Sequence, residues 1–273
     1  MISHSRSPRR LLTKLAGVAA RSENRLVSQA LIRAFHRAYD IDMSVAERSD
    51  VAAYRSFNDF FTRELKADAR PISDAALVSP VDGTVSQIGD IRDGTIVQAK
   101  NHRYTVDDLL AAGDGARFRG GKVANIYLSP RDYHRIHMPC DGMLVRTVFV
   151  PGHLNSVSPK TADSIPNLFA TNERLVCFFD SPEIGAFCMV LVGATIVGSI
   201  STIWSGVINA AFNNASHATD FARPVPIAKG SEMGLFQAGS TVILLTERGS
   251  KSLVETVGNE AKVKLGEAIF RQP

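Results

Sequence analysis

The step Gly239-Ser240-Thr241 is a place where this chain could perform chemistry on its own backbone. It lies between a polar segment, residues 229–237, and the apolar run 242–245. Gly239 has no Cβ, so its carbonyl group can be approached closely, and the hydroxyl of Ser240 is placed to attack it. A serine hydroxyl is a weak nucleophile that needs a base, which a third group must orient. A turn that opens a buried strand explains the same residues without chemistry, so other parts of the chain must decide.

Residues that could supply the base are concentrated in the segment 127–139, which follows a predicted strand. It contains Asp132, His134 and His137. Imidazole titrates near neutral pH, so these residue types suit proton transfer. The His-x-x-His spacing lacks a third protein ligand, so we expect no metal. One buried and one exposed structural histidine would account for the pair equally well.

A candidate for the third group is Asp82, in the turn sequence Pro80-Val81-Asp82-Gly83. An aspartate before glycine usually makes local hydrogen bonds to its own turn, which remains the simpler interpretation. The chain has no GxSxG, GxxxxGK[ST] or GxGxxG motif. A conventional hydrolase, a nucleotide enzyme and a dehydrogenase are therefore not supported.

The elements that must position these residues are mainly strands. Beyond Pro71, short apolar runs alternate with Gly, Asp and Asn turns. This spacing predicts an α+β protein with a mainly antiparallel β sandwich or barrel-like core, preceded by an amphipathic helical region. The predicted strands are 77–78, 84–85, 95–97, 123–128, 144–150, 175–179, 187–192, 195–203 and 242–245. Residues 105–112 are predicted to form a short helix, and residues 209–226 a long loop.

Positive charge is concentrated at the start of the chain. The net charge is +4 over 273 residues, yet residues 1–39 hold eight Arg or Lys against one acid, Glu23. Apolar residues in this region recur at helical spacing, with a break near residues 22–24. Such helices could lie on an anionic membrane, pack on their own domain, or bind nucleic acid. Ser56 is predicted to cap a short aromatic helix, which ends by Arg70-Pro71.

Composition sets broad limits. No apolar run is long enough for a transmembrane helix, and residues 1–39 do not fit a signal peptide. The three cysteines, Cys140, Cys177 and Cys188, have no CxxC spacing, and their odd number fits a reducing compartment. We expect all three to be small buried hydrophobic residues.

Six blocks of the sequence, in order along the chain, resemble the phosphatidylserine decarboxylase proenzymes of the pyruvoyl-dependent, prokaryotic type. The blocks are 56–63, 80–83, 127–139, 167–174, 192–200 and 229–241. Any one of them alone would be weak, whereas six in the family's order form a specific match over almost the whole chain. Ala238 stands where the family often has leucine, and Ser231 where glutamate is common. Both lie beside the reacting residues, so they bear on the rate of cleavage.

The resemblance implies an enzyme that cuts its own chain between Gly239 and Ser240. A β chain, 1–239, and an α chain, 240–273, would stay together as a heterodimer, with further dimerisation left open. Ser240 would be the nucleophile and would become a covalent pyruvoyl cofactor. This group would form a Schiff base with phosphatidylserine and release phosphatidylethanolamine.

The resemblance also implies a role for each site residue. His137 resembles the general base of the cut and Asp82 the acid that orients it, with Asp132 assisting. His134 resembles the histidine that acts in decarboxylation. Residues that would bind the lipid phosphate are not identified by the resemblance; the candidates are Arg131, Arg135 and Lys229.

Domain organisation and location follow from the same resemblance. A lipid substrate favours the membrane interpretation of the basic N-terminus over nucleic-acid binding. Residues 1–70 would be a helical membrane-associating region and residues 71–273 a β-rich catalytic domain. The protein would sit peripherally on the cytoplasmic side of the cell membrane. Two other hypotheses remain: a serine hydrolase with Ser240, His137 and Asp82 in an intact chain, and a non-catalytic β domain at the membrane surface.

Overall fold

The structure, a computed structural model, describes residues 17–99, 102–194, 200–208, 215–237, 239–248 and 253–273. Strands dominate it, and helices are short apart from one near the N-terminus. The helices are α1 (Arg25–Tyr39), α2 (Phe57–Phe61), α3 (Val106–Leu110), α4 (Gly115–Phe118), α5 (Pro159–Ala162) and α6 (Leu168–Thr171). Residues 17–21 are also helical, and Val51–Ala53 form a 3-10 turn.

Strands occur along the chain both before and after the Gly239–Ser240 bond. They are β1 (Leu77–Val78), β2 (Gly83–Asp90), β3 (Thr95–Ala99), β4 (His102–Thr105), β5 (Lys122–Leu128), β6 (Arg135–His137), β7 (Gly142–Val150), β8 (Arg174–Ser181), β9 (Gly185–Gly193), β10 (Ile200–Thr202), β11 (Gly206–Ile208), β12 (His217–Ile227), β13 (Glu232–Phe236), β14 (Ser240–Thr246), β15 (Val254–Glu255), β16 (Lys262–Val263) and β17 (Ala268–Arg271).

An eight-stranded antiparallel sheet forms the centre of the molecule. Its order is β12-β7-β8-β9-β14-β5-β2-β16, so β14 lies inside the sheet with β9 and β5 as neighbours. All seven residues of β14 are buried. Its apolar run is nearly continuous because both faces of the sheet are covered, whereas a half-exposed strand would alternate with polar residues.

Two separate cores cover the two faces of this sheet. One face packs against a four-stranded sheet, β11-β10-β13-β6, and a three-stranded sheet, β1-β17-β15, through residues such as Ile136, Phe236 and Phe270. The other face packs under α3 to α6 through residues such as Leu109 and Phe169. The first of these cores makes the protein a β sandwich.

The N-terminal helices form a third cluster around Ile32, Tyr54 and Phe60. Asn24 caps the start of helix α1. Its Oδ1 accepts from the backbone N–H groups of Leu26 and Val27, which would otherwise have no partner within the helix. Helix α2 begins in the same way, because Ser56 Oγ accepts from the N–H of Asp59.

Most fold predictions are confirmed. The protein is α+β with an antiparallel sandwich, and the described strands form open sheets instead of a closed barrel. The structure contains the predicted cap at Ser56, the break at residues 22–24 and the short helix within 105–112. The three cysteines are buried and free. Residues 195–199 and 209–214 lie outside the described part of the chain. The proposed domain division at residue 70 stays a prediction. None of the described helices is long and apolar enough to cross a membrane.

Two predictions are wrong. Helix α2 ends at Phe61 instead of near Arg70, because the backbone of Thr62 leaves the helical region (φ −95°, ψ 26°) and the N–H of Arg63 donates to the carbonyl of Phe60 in a tighter last turn. The predicted loop 209–226 contains strand β12, which pairs with β7 at the sheet edge. Strand β12 is at the edge of the sheet, so one of its sides has no neighbouring strand that would need backbone N–H donors. It therefore tolerates Pro224 and Pro226, which have no N–H group.

The stacked pair Phe179 and Phe187 should contribute strongly to stability. Their ring centroids are 4.9 Å apart and Phe187 has no exposed surface. In a Ser240→Ala background, which removes the nucleophile of the predicted self-cleavage, Phe187→Ala should lower the free energy of unfolding by about 3–5 kcal/mol. Urea unfolding followed by the single tryptophan, Trp204, measures this. The matched change Val254→Ala, at an exposed position, should cost less than about 0.5 kcal/mol. Equal losses would contradict this assignment.

Candidate active site

Ser240 occupies a fixed and enclosed position. It is the first residue of β14 and pairs with Leu128 of β5 on one side and Gly193 of β9 on the other. Alternation along the strand puts its side chain on the same face as Val242, inside the sandwich core. The residue has no exposed surface, and its Oγ has no hydrogen-bond partner among the described residues. A buried hydroxyl without a partner is unfavourable, which points to a use in chemistry.

The backbone ladder brings the histidine segment to Ser240. Strand β5 ends at Leu128, opposite Ser240, and the chain then returns as β6, which pairs with β13. The N–H of Phe236 donates to the carbonyl of His134 at 2.9 Å and extends that pairing. The connection 129–134 therefore runs alongside the connection between β13 and β14, which contains Gly239. A Cβ added to Gly239 would meet nothing within 4 Å, so there is free space on the side of Gly239 where a side chain would stand.

His134 is held inside the core as a neutral imidazole. Its Nδ1 donates to the carbonyl of Asp132 at 2.8 Å, and the ring of Phe61 lies 4.0 Å away, centroid to centroid. Alternation places His134 on the same face as Ile136, toward the sandwich core and Ser240. Burial lowers the pKa of His134 to about 3. Its Nε2 has no partner among the described residues, so a lone pair is free to accept a proton.

Asp132 shapes the loop that carries His134. One oxygen of its carboxylate accepts from both the N–H and the hydroxyl of Ser129, each at 2.7 Å. Its carbonyl oxygen orients the imidazole of His134. These contacts position the loop and the imidazole of His134, and the assisting role predicted for Asp132 stays a prediction.

His137 lies on the opposite face of β6 from His134 and Ile136. Its Nδ1 donates to the carbonyl of Gly230 at 2.8 Å, and its Nε2 accepts from the hydroxyl of Tyr133 at 3.1 Å. Burial lowers the pKa of the His137 imidazole. Both ring nitrogens are therefore engaged, and the structure brings His134, not His137, to the face that Ser240 shares. The part predicted for His137 as base of the cut stays a prediction.

Asp82 is held by a different partner from the one predicted. Its carboxylate accepts from Arg70 Nε at 2.9 Å and Nη2 at 2.6 Å, and from the N–H of Leu265 at 2.9 Å. The bidentate guanidinium occupies both oxygens, which is the strongest pairing open to a carboxylate. The imidazole of His137 is thus oriented by Gly230 and Tyr133, and a direct contact with Asp82 is not formed. The two residues are linked through the backbone, because the N–H of His137 donates to the carbonyl of Pro80.

Two of the three candidates for a phosphate site are already engaged. Arg135 forms ion pairs with Glu64 and Glu232, at 3.0 and 2.9 Å. Lys229 Nζ donates to the carbonyl of Ala75 at 2.6 Å. Arg131 is exposed on the loop after β5.

Three residues of the site were not singled out from the sequence. Arg70 binds Asp82, Tyr133 binds His137, and Arg63 lies beside the His134 loop. Tyr133 and Arg63 fall inside blocks of the resemblance, so their position was a usable signal. Arg70 was noted only as a helix end, and no pattern in the sequence connects it to Asp82.

Models of a known protein family match most of this chain. The family model described as "Phosphatidylserine decarboxylase" matches residues 57–271, and a second model, described as "PSD", matches residues 7–40. The first match spans most of the chain and includes Asp82, both histidines and Ser240. The chain therefore belongs to the phosphatidylserine decarboxylase family.

Curated relatives carry the same name at high coverage. The phosphatidylserine decarboxylase proenzyme of Polaromonas sp. is 47% identical over 268 residues, which is 96% of this chain and 94% of that protein. The proenzyme of Acidovorax ebreus is 50% identical over 266 residues, 96% of this chain and 93% of the relative. That of Chromobacterium violaceum is also 50% identical over 266 residues, covering 96% and 95%.

The buried, neutral state of His134 predicts acid sensitivity. The unfolded chain takes up a proton on this residue near pH 6.5, whereas the folded chain does so only near pH 3. Between these values protons favour the unfolded state, so stability falls as the pH decreases. The slope from this residue is at most about 1.4 kcal/mol per pH unit. In the Ser240→Ala background, His134→Asn should reduce the slope measured by urea unfolding at pH 6.5, 5.5 and 4.5. Identical slopes in the two proteins would contradict the buried assignment.

Proposed function

We propose that this protein decarboxylates phosphatidylserine to phosphatidylethanolamine by means of a pyruvoyl group made from Ser240 when the chain cuts itself after Gly239. Membership of the family supports the reaction and the substrate. The observation that carries the self-processing part is the hydroxyl of Ser240, which is buried and unpartnered beside the loop of His134. The relatives' name, proenzyme, is consistent with a cut chain.

The cut would proceed through atoms that the chain itself supplies. A base removes the proton of Ser240, whose Oγ attacks the carbonyl carbon of Gly239 and displaces the amide nitrogen to give an ester. Elimination then leaves this oxygen on the new carboxyl end at Gly239 and a dehydroalanine at position 240. Water hydrolyses the dehydroalanine to a ketone and ammonia. The family resemblance assigns the base to His137, supported by Asp82.

The surroundings of Ser240 fit the group that this reaction would leave. Position 240 stays paired to β5 and β9, so the new chain end is held in the ladder and its side-chain position faces a dry core. A pyruvoyl group there would supply a ketone that condenses with the substrate amine and accepts electrons as carbon dioxide leaves. Low water content protects such a group from side reactions.

His134 is suited to moving the proton during decarboxylation. Its Nε2 is free and its imidazole is neutral, so it can take a proton from the substrate ammonium group. The same nitrogen can then return that proton to the carbon that has lost carbon dioxide. The carbonyl of Asp132 fixes the tautomer throughout, because it accepts from Nδ1.

Denaturing gels with intact-mass analysis test the self-cleavage. The wild-type chain should give a fragment ending at Gly239 and a C-terminal fragment of 273 − 239 = 34 residues with a blocked N-terminus. Ser240→Ala should abolish the cut, and His137→Ala and Asp82→Asn should slow it by about 100-fold or more. His134→Ala should still be cut but should release no carbon dioxide.

The same measurements separate the other classes of function. An uncut chain that reacts with a serine reagent would indicate a hydrolase that uses Ser240 directly. An uncut chain that binds lipid and releases no gas would indicate a non-catalytic surface domain. If His134→Ala blocks the cut while His137→Ala does not, the two histidines have each other's proposed roles.

We also propose that α1 docks the protein on the anionic, cytoplasmic face of the cell membrane. The helix buries Ser28, Gln29 and Ile32 but leaves Leu26 84% and Leu31 38% exposed. Three apolar residues of α1, Leu26, Val27 and Leu31, thus point away from the protein, while Ile32 anchors the helix to it. The exposed arginines of the same region, Arg21, Arg25, Arg33 and Arg37, suit an anionic surface. Exposed leucines beside arginines are typical of helices that lie in a headgroup region.

A double change, Leu26→Ser with Leu31→Ser, tests this docking. Binding to vesicles that contain phosphatidylserine should weaken at least about tenfold, because each leucine contributes about 1.5–3 kcal/mol when it is buried. Co-sedimentation measures binding, and the gel assay checks that the variant still cuts itself. The matched change Val254→Ser, at an exposed position of β15, should leave binding unaltered. Equal binding by all three proteins would exclude α1 as the docking surface.

A further inference from the structure

Arg63 is a buried cation that forms no ion pair with the described residues. It follows helix α2 directly and is only 4% exposed. Its Nη2 donates to the carbonyl oxygens of Arg131 at 2.9 Å and Asp132 at 3.4 Å. Its Nε and Nη1 are buried and have no hydrogen-bond partner among the described residues. The ion pairs in the described part of the chain do not include it.

Such a group is unfavourable unless an anion reaches it. A buried guanidinium loses its hydration, and burial lowers the pKa of Arg63. The ring of Phe60, 5.9 Å from the guanidinium carbon, compensates only weakly. The carbonyls of residues 131 and 132 satisfy one nitrogen and leave N–H groups free on two others.

The guanidinium stands next to the catalytic imidazole. Arg63 Nη2 and His134 Nδ1 both donate to the carbonyl oxygen of Asp132, so the two side chains lie side by side. Phe61, two residues before Arg63, contacts the His134 ring. A ligand that reaches Nε2 of His134 is therefore close to the free N–H groups of Arg63.

We propose that Arg63 binds the phosphate oxyanion of the substrate head group. This inference rests on the proposed function, which supplies a lipid with an amine, a carboxylate and a phosphodiester. The substrate carboxylate loses its charge as carbon dioxide leaves. An arginine paired with this carboxylate would therefore stabilise the substrate more than the transition state. The phosphodiester keeps its charge from binding to release. Arginine donors suit phosphate oxygens well.

The other cations near the site are less suited to this task. Arg70 is bound to Asp82, Arg135 to two glutamates, and Lys229 to a backbone carbonyl. Arg131 is exposed to solvent, so it gains less from an added anion. The free N–H groups of Arg63 are enclosed, so surrounding side chains must move when substrate enters.

Steady-state kinetics of Arg63→Gln and Arg63→Lys test the proposal with dihexanoyl phosphatidylserine, a dispersed short-chain substrate. KM should rise about 10- to 100-fold for Arg63→Gln and less for Arg63→Lys, with kcat within about twofold of wild type. Arg55→Gln, at an exposed arginine just before α2, is the matched control and should change neither constant. A fall in kcat at unchanged KM would overturn the proposal, because Arg63 would then act by holding the His134 loop.

Competition on the wild-type enzyme keeps the test valid if the variants fold poorly. Diethyl phosphate, an anionic diester, should inhibit competitively, whereas neutral triethyl phosphate should not. Equal effects of the two compounds would contradict the proposal. Inorganic phosphate that competes about tenfold better than the diester would show a site for free phosphate instead. A wild-type chain that stays uncut and releases no gas would refute the proposed function itself, which the gel shows separately.

Discussion

The structure depends on the pairing of β14 inside the large sheet. Its first residue, Ser240, is bonded to neighbours on both sides, so the position of the hydroxyl is set by two strands and not by a loop. Backbone ladders are the most rigid supports that a fold offers, and reactive groups placed on them keep their geometry. The same ladder turns Ser240 inward, away from water, while the residues before it belong to a connection that the nucleophile can approach.

His134 and His137 have different surroundings because side chains alternate along an extended chain. They are three positions apart, with His134 directly before β6 and His137 at its end, so the alternation of an extended chain directs their side chains to opposite faces. His134 faces the sandwich core with one nitrogen free, and His137 faces a polar network with both nitrogens engaged. The proposed function assigns these two side chains to two different proton-transfer steps. A Cβ at Gly230, whose carbonyl holds His137, would come within 2.9 Å of Ile72, and its φ of 76° is one that glycine adopts readily.

Much of this could be predicted from the sequence, for identifiable reasons. Buried strands such as β14 and β9 have long apolar runs, and the caps at Ser56 and Thr105 carry side-chain oxygens at the expected spacing. Strand β12 was missed because it is an edge strand with two prolines and mostly exposed residues, a composition shared with loops. The partners within the site could not be predicted. Arg70 and Asp82 are joined across 12 positions of chain that include β1, and Gly230 reaches His137 across 93 positions.

The arrangement of strands around position 240 has a consequence for how the enzyme is made. Segments from the last 34 residues lie in two different sheets, where β14 joins β5 and β9, β16 joins β2, and β17 joins β1. Folding of the intact chain brings these segments together as one molecule, with no loss of translational freedom. If the bond is cut as proposed, a denatured enzyme would have to reassemble from two species, and the short one cannot build a core alone. The mature protein would then stay folded because its unfolding is slow. A molecule that did unfold would not fold again, so each chain has to fold before it is cut.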